Sequence, residues 1–204
     1  MNRLKKILKF AKTLNPKLKI AILVTLLLLF FLLVACLQSL QRRPEPVAEI
    51  QTQPPATIDT PIKLKIPKIG VDATIEQVGL TVENNMDVPK QLENVGWLNS
   101  GPHPGEVGSA VISGHLDGKN GEKAVFFDLE KLAPKDTFSI ADNKGTIINF
   151  EAKETRYYDF DQIAPEVFTS TSGKHLNLIT CASSWNKAKK SYEKRFVVFG
   201  DIIE

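Results

Sequence analysis

The stretch "LNLITCASSW", Leu176–Trp185, runs as an apolar, β-branched strand into a cysteine and then turns polar. Working outward from it, similar runs recur between Gly, Pro, Asn and Asp. They are "IKLKIP" (62–67), "VDATIEQVG" (71–79), "SAVISGH" (109–115), "TFSIA" (137–141), "TIINFEAKETRYY" (146–158), "HLNLITC" (175–181) and "RFVVFGDII" (195–203). Short runs of period two, or of continuous β-branched residues, read as strands. Helical patterns are few: "AVFFDLEKL" (124–132) and "DFDQIAPEVF" (159–168), the second broken by Pro165. Seven or eight strands in one domain predict a closed or nearly closed β-barrel with one or two short helices in its connections.

The N-terminal part reads differently. Seven cations (Arg3, Lys5, Lys6, Lys9, Lys12, Lys17 and Lys19) and no acid precede the apolar run Ile20–Leu37, whose one polar interruption is Thr25. Eighteen helical residues reach about 27 Å, near the hydrocarbon thickness of a bilayer. The cations predict a cytoplasmic N-terminus and a chain that continues outside the membrane. Two other readings end with the domain on the same side. One is a cleaved signal peptide, although its apolar core would be unusually long. The other is lipidation of Cys36, since "LVAC" (33–36) resembles a bacterial lipobox. The chain therefore divides into a basic segment (1–19), a membrane signal-anchor (20–40), a linker (41–61) and a domain (62–204). The linker holds 5 of the 12 prolines, a composition that stays extended and buries no core.

Charge follows this division. Residues 1–61 carry +6 and residues 62–204 carry −3. A mildly acidic domain lacks the clustered cations a nucleic-acid surface needs, so no nucleic-acid partner is expected.

In an exported domain Cys181 has no soluble partner, because Cys36 lies at the membrane. A lone exported thiol is either an inert filler or a retained reactive group. The five cations of "ASSWNKAKKSYEKR" (182–195) favour the second, since nearby positive charge stabilises a thiolate. Such a nucleophile needs an imidazole in reach. His175 lies six residues up the same strand, roughly 20 Å away, and His103 sits between prolines in a turn. His115 ends a buried strand just as Cys181 does, so the two meet if their strands are neighbours. Arg195, fourteen positions after Cys181, can return opposite it on an antiparallel strand and offer donors to an oxyanion. It can equally be a surface arginine beside a strand.

"GH" after an apolar strand, "LITC" ending another and the arginine of "RFVVFG" together resemble the triad pattern of sortases. The resemblance covers the whole domain from "IPKIGVDATIEQVG" (66–79) through "VGWLNSGPHPGEVGSAVISGHLD" (95–117), and "GHLDGKNGEKAVFFDLEKLAPKD" (114–136) is most similar to class F, less so to classes D and E. It implies an eight-stranded barrel and a cysteine transpeptidase that cleaves an LPxTG-like C-terminal sorting signal between Thr and Gly. The resulting thioacyl enzyme passes its cargo to an amine of a peptidoglycan precursor or a pilin. By the same resemblance Cys181 is the nucleophile, His115 the general acid/base and Arg195 the substrate and oxyanion ligand, while Thr180 and Trp185 contact substrate. The substrate-lining loops fall at 158–173 and 182–194. No cofactor or metal is expected. The departure is Asn177, where the family's TLxTC motif has Thr. The rival readings are a hydrolytic thiol protease on the same fold, a non-catalytic anchored binding domain, and a zinc site built from His103, His115, His175 and Cys181.

Overall fold

The computed structural model describes residues 15–40 and 58–203, which fall in two separate compact units. The first is helix α1, Pro16–Leu40. Its described surface exposes Ile20, Val24 and the whole run Leu27–Leu33. Among the described residues no helix is long and apolar enough to cross a membrane; the side chains at several α1 positions, Cys36 among them, lie outside the described set. The basic residues before Asn15 and the linker at 41–57 also lie outside it.

The second unit is a closed barrel of eight strands: β1 (Pro61–Ile66), β2 (Val71–Val78), β3 (Val95–Leu98), β4 (Gly108–Gly114), β5 (Thr137–Asp142), β6 (Ile147–Asp159), β7 (Lys174–Asn186) and β8 (Ser191–Ile202). Their order around the barrel is β1-β2-β3-β4-β7-β8-β6-β5, and β5 returns to pair with β1. The β2–β3 and β4–β7 pairs are parallel and the rest antiparallel. Closure leaves no open sheet edge.

Alternation explains most of the strands. In β1, Leu64 and Ile66 point into the barrel while Lys63 and Lys65 face out to Asp72 on β2. Phe126, Phe138, Phe150, Ile112, Leu176 and Leu178 join them in the interior. Each such side chain contributes about 1.5–3 kcal/mol when fully buried. Packing reaches back to Ile58, which is buried in this core and donates its amide to Pro104 O at 3.1 Å.

A second apolar cluster, Leu98, Val111, Tyr158, Val167 and Val197, lies outside the barrel wall. The one-turn helix α2 (Pro165–Phe168) in the β6–β7 connection packs there, against β4. With both faces covered, all seven residues of β4 are buried, which is why "SAVISG" shows no alternation.

Three local expectations change. The four-residue β3 gives no periodic signal, since all its residues are buried. The expected helix at 124–132 is a turn followed by a 3-10 helix, Leu129–Lys131, because Phe126 and Leu129 are both drawn into the barrel. The stretch after Cys181 is a long hairpin rather than a loop: β7 continues to Asn186 and β8 begins at Ser191. An irregularity between Ala182 and Trp185, with Ser183 at φ 69°, kinks it just beyond the cysteine. Bulges of this kind re-aim side chains near functional sites.

Candidate active site

The strand order brings the sequence candidates into one row. Cys181 on β7 stands directly opposite Arg195 on β8, and Arg195 stands opposite Tyr158 on β6. On the other side, the parallel β4–β7 register pairs Ser113 with Ile179. Two residues further along, that register brings His115 beside Cys181. Even-numbered residues of β7 (Leu176, Leu178, Ala182) fill the interior, so period-two geometry turns Cys181 outward. Cross-strand partners share a face, and His115, Cys181 and Arg195 therefore meet on the outer wall.

His115 is held from three directions. Its Nε2 lies 2.8 Å from Pro89 O; a carbonyl only accepts, so Nε2 carries the hydrogen and Nδ1 is the basic nitrogen. Its backbone carbonyl accepts the Phe126 amide at 3.0 Å. The Phe126 ring lies so close to Gly114 that a Cβ there would come within 2.4 Å of it. The segment carrying Pro89 is itself tied down. Glu76 accepts the amides of Lys90 (3.0 Å) and Gln91 (3.4 Å) and the Asn94 side chain (2.9 Å), while Ser113 Oγ donates to Asp87 O at 3.3 Å.

Arg195 folds along its own hairpin. Its guanidinium donates to Tyr192 O (3.2 Å), Lys194 O (3.0 Å) and Ser191 Oγ (3.1 Å). Three bonds fix the fork with its charge at the thiol. Burial pushes the half-buried Cys181 thiol above its ordinary value; Arg195 pulls it back and Asp117 pushes it up again. The resting sulfur near neutral pH is a thiol. Asp117 also accepts a short hydrogen bond from Tyr192 OH. Burial and that carboxylate raise the tyrosine to about 12.

Two cavities open beside the sulfur. One, about 620 Å³, runs under the β6–β7 connection past Met86, Val88, Val167, Ile179 and Arg195. The other, about 580 Å³, lies between the loop after His115 and the β7–β8 hairpin and includes Asp117, Trp185 and Tyr192.

Thr180 is buried and its hydroxyl donates to Gly114 O at 2.8 Å, tying the two strands together one residue before both His115 and Cys181. Trp185 is 53% exposed and meets the Tyr192 ring edge-on at 5.3 Å. Asn177 is buried beneath α2, where its Nδ2 donates to Val167 O at 2.7 Å and its Oδ1 has no hydrogen-bond partner among the described residues. The other histidines are engaged elsewhere: His175 with Asp201 at 2.6 Å, His103 with Asp59 O and the Trp97 ring. Among the described residues no group of three or more His, Cys, Asp or Glu is arranged to hold a metal ion. Sequence reasoning missed Glu76, Pro89, Asp117 and Tyr192. Only Asp117 carried a signal, as an acid two positions after His115 in a Gly-rich loop.

Comparison with known proteins matches residues 64–203 to the family model of the sortase domain. Among solved structures, the chain is similar to Streptococcus agalactiae sortase C1 in complex with MTSET (23% identity, TM-score 0.56, covering 70% of this chain and 68% of that one). It is also similar to Actinomyces oris sortase C-1 (21%, TM-score 0.54, 70% and 73%) and to a Clostridium perfringens sortase D5 transpeptidase (24%, TM-score 0.54, 72% and 80%). At these identities the structural likeness shows the fold. No curated protein matches the chain.

Proposed function

The chain belongs to the sortase family of cysteine transpeptidases, and from that premise we propose that it is a membrane-anchored class F enzyme that joins proteins bearing an LPxTG-like signal to an amine. Cys181 is the nucleophile, His115 the general acid/base and Arg195 the oxyanion ligand. The observation that carries the reading is the row these three residues form, His115 one residue past the end of β4, Cys181 on β7 and Arg195 opposite it on β8.

In the reaction, His115 takes the Cys181 proton and the sulfur attacks the Thr carbonyl carbon. Arg195 offsets the charge that develops on the carbonyl oxygen. As the Thr–Gly C–N bond breaks, the imidazolium returns its proton to the leaving amine. An incoming amine then reverses these steps: a C–N bond forms, the C–S bond breaks and the proton returns to sulfur through His115. Burial pushes the thiol up, so the thiolate forms less readily here than on an exposed cysteine. The larger cavity, in which Met86, Val88, Val167 and Ile179 stand beside the polar Asp159, Gln162 and Arg195, suits the extended signal peptide, since apolar walls bury its side chains and placed polar groups fix its orientation.

Class F rests on the likeness of residues 114–136 to that group. The anchor rests on the apolar run Ile20–Leu37, the seven cations ahead of it and the exposed apolar surface of α1. With the positive-inside rule it puts the barrel on the extracellular side of a single-pass protein.

The test is turnover. The full chain in detergent micelles, given an LPxTG peptide and triglycine, is expected to release the C-terminal fragment and form the triglycine adduct. Cys181→Ala should abolish both products, and His115→Ala and Arg195→Ala should nearly do so. Undiminished turnover in Cys181→Ala rejects the reading, and binding without turnover in the unaltered chain makes the domain a binding module.

A further inference from the structure

Of all their lining residues the two cavities share one, Cys181. An acyl transferase must bring two substrates to one sulfur from different directions, and this arrangement separates them. Arg195, the charge for the oxyanion, lines only the larger cavity. His115, the group that exchanges protons with amines, lines only the smaller one.

The smaller cavity has a charged wall beside the histidine. Asp117 is half-buried there, and its Oδ2 accepts the Tyr192 hydroxyl. Its Oδ1 receives no hydrogen bond among the described residues. Trp185, stacked edge-on against Tyr192 and 53% exposed, forms the adjoining wall. A partly buried carboxylate with one open oxygen, beside an aromatic face, is a site for a primary ammonium. Lys119 also lines the cavity, but it is exposed and reaches solvent, where its charge is screened.

Building on the transpeptidase reading, we infer that the smaller cavity is the acceptor channel and that Asp117 receives the ammonium group of the incoming nucleophile. The ammonium docks on Asp117 Oδ1 and loses one proton to solvent beside His115. The free amine attacks the thioacyl carbonyl carbon. Its second proton passes through His115 to sulfur as the C–S bond breaks and the C–N bond forms. Asp117 thus selects cationic acceptors. It also explains a cost in the site, since this carboxylate pushes the Cys181 thiol up and so disfavours the attacking thiolate.

Two acceptors that differ in charge test this. The full chain is given an LPxTG peptide together with triglycine, whose reacting amino group is an ammonium at neutral pH, and hydroxylamine, whose nitrogen is neutral there. The two products are quantified by mass spectrometry. Their ratio reports how one thioacyl enzyme partitions, so it does not depend on how fast that enzyme forms. Asp117→Asn should lower the triglycine-to-hydroxylamine ratio about tenfold, the loss of one modest ionic contact, and Asp117→Glu should restore most of it. In the unaltered chain, added salt should lower the same ratio, a measurement that needs no variant. A ratio unmoved by Asp117→Asn, or by salt, overturns the assignment while leaving the transpeptidase intact. Failure of the unaltered chain to make either product removes the transpeptidase reading, and this assignment with it.

Discussion

Cys181 and Arg195 stand directly opposite one another in the antiparallel β7–β8 ladder, and three hydrogen bonds within the same hairpin aim the guanidinium. In the role proposed for Arg195, the charge that would meet the developing oxyanion is therefore set before substrate arrives, the condition under which electrostatic stabilisation is strongest. Arg195→Gln should lower kcat about a hundredfold to a thousandfold, the usual effect of removing one oxyanion donor. Arg195→Lys keeps the charge but not the fork, and should recover only part of the loss. Steady-state kinetics on an LPxTG peptide reads both.

The thiol's electrostatics make opposite predictions for its two charged neighbours. Burial raises the Cys181 pKa, Arg195 lowers it and Asp117 raises it. Removing the cation takes away a stabiliser of thiolate, so Arg195→Gln should move the midpoint of iodoacetamide reactivity to higher pH. Removing the anion does the reverse, so Asp117→Asn should move that midpoint to lower pH. In the unaltered protein the midpoint should lie above that of a free cysteine. The rate of Cys181 alkylation across a pH series measures all three.

Gly114→Ala should separate folding from function. The added Cβ would come within 2.4 Å of the Phe126 ring, an overpacking that costs about 1–3 kcal/mol. That lowers Tm by about 2–4 °C per kcal/mol in a domain of this size. The ring can only yield by moving the chain that donates to His115 O. Activity should therefore fall by more than the fraction unfolded at the assay temperature, as thermal melts and kcat measured on one preparation will show.

Glu76 acts on His115 through Pro89. Glu76→Ala frees the Lys90 and Gln91 amides and loosens the carbonyl that holds Nε2–H. The expected result is a kcat about tenfold lower with KM nearly unchanged, a share of the general acid–base contribution of about 10²–10⁴-fold. Nitrogen NMR of His115 should show the Nε2–H tautomer giving way to a mixture. A purely structural role for Glu76 would lower Tm and leave the tautomer alone.

Much of this was legible because strands declare themselves through alternation and β-branching. Seven of the eight were readable, and the closed barrel followed from their number. β3 was not: its four residues are buried on both faces, and period two carries information only where one face is wet. The polar stretch after Cys181 looked like a loop for the converse reason. It extends past the barrel as a hairpin with solvent around it, held by the Trp185–Tyr192 contact.

Within the site, the spacing of Cys181 and Arg195 suggested the antiparallel return, and the shared strand-end position suggested His115. Nothing in sequence could suggest Glu76, whose role depends on a carbonyl thirteen residues away that reaches a ring just past the end of β4. Asn177, the letter departing from the family motif, is a buried amide with one bond to Val167 O and an oxygen that finds no partner among the described residues. The substitution thus falls under α2 and away from the sulfur.

The central claim is a covalent bond to one sulfur. The full chain, mixed with an LPxTG peptide without an acceptor amine and quenched in acid, is examined by intact mass and peptide mapping. The expected result is a mass gain equal to the peptide through its Thr, mapped to Cys181, reversed by hydroxylamine and missing from Cys181→Ala. Cleavage of the peptide with no adduct on Cys181, or the same adduct in Cys181→Ala, would contradict it.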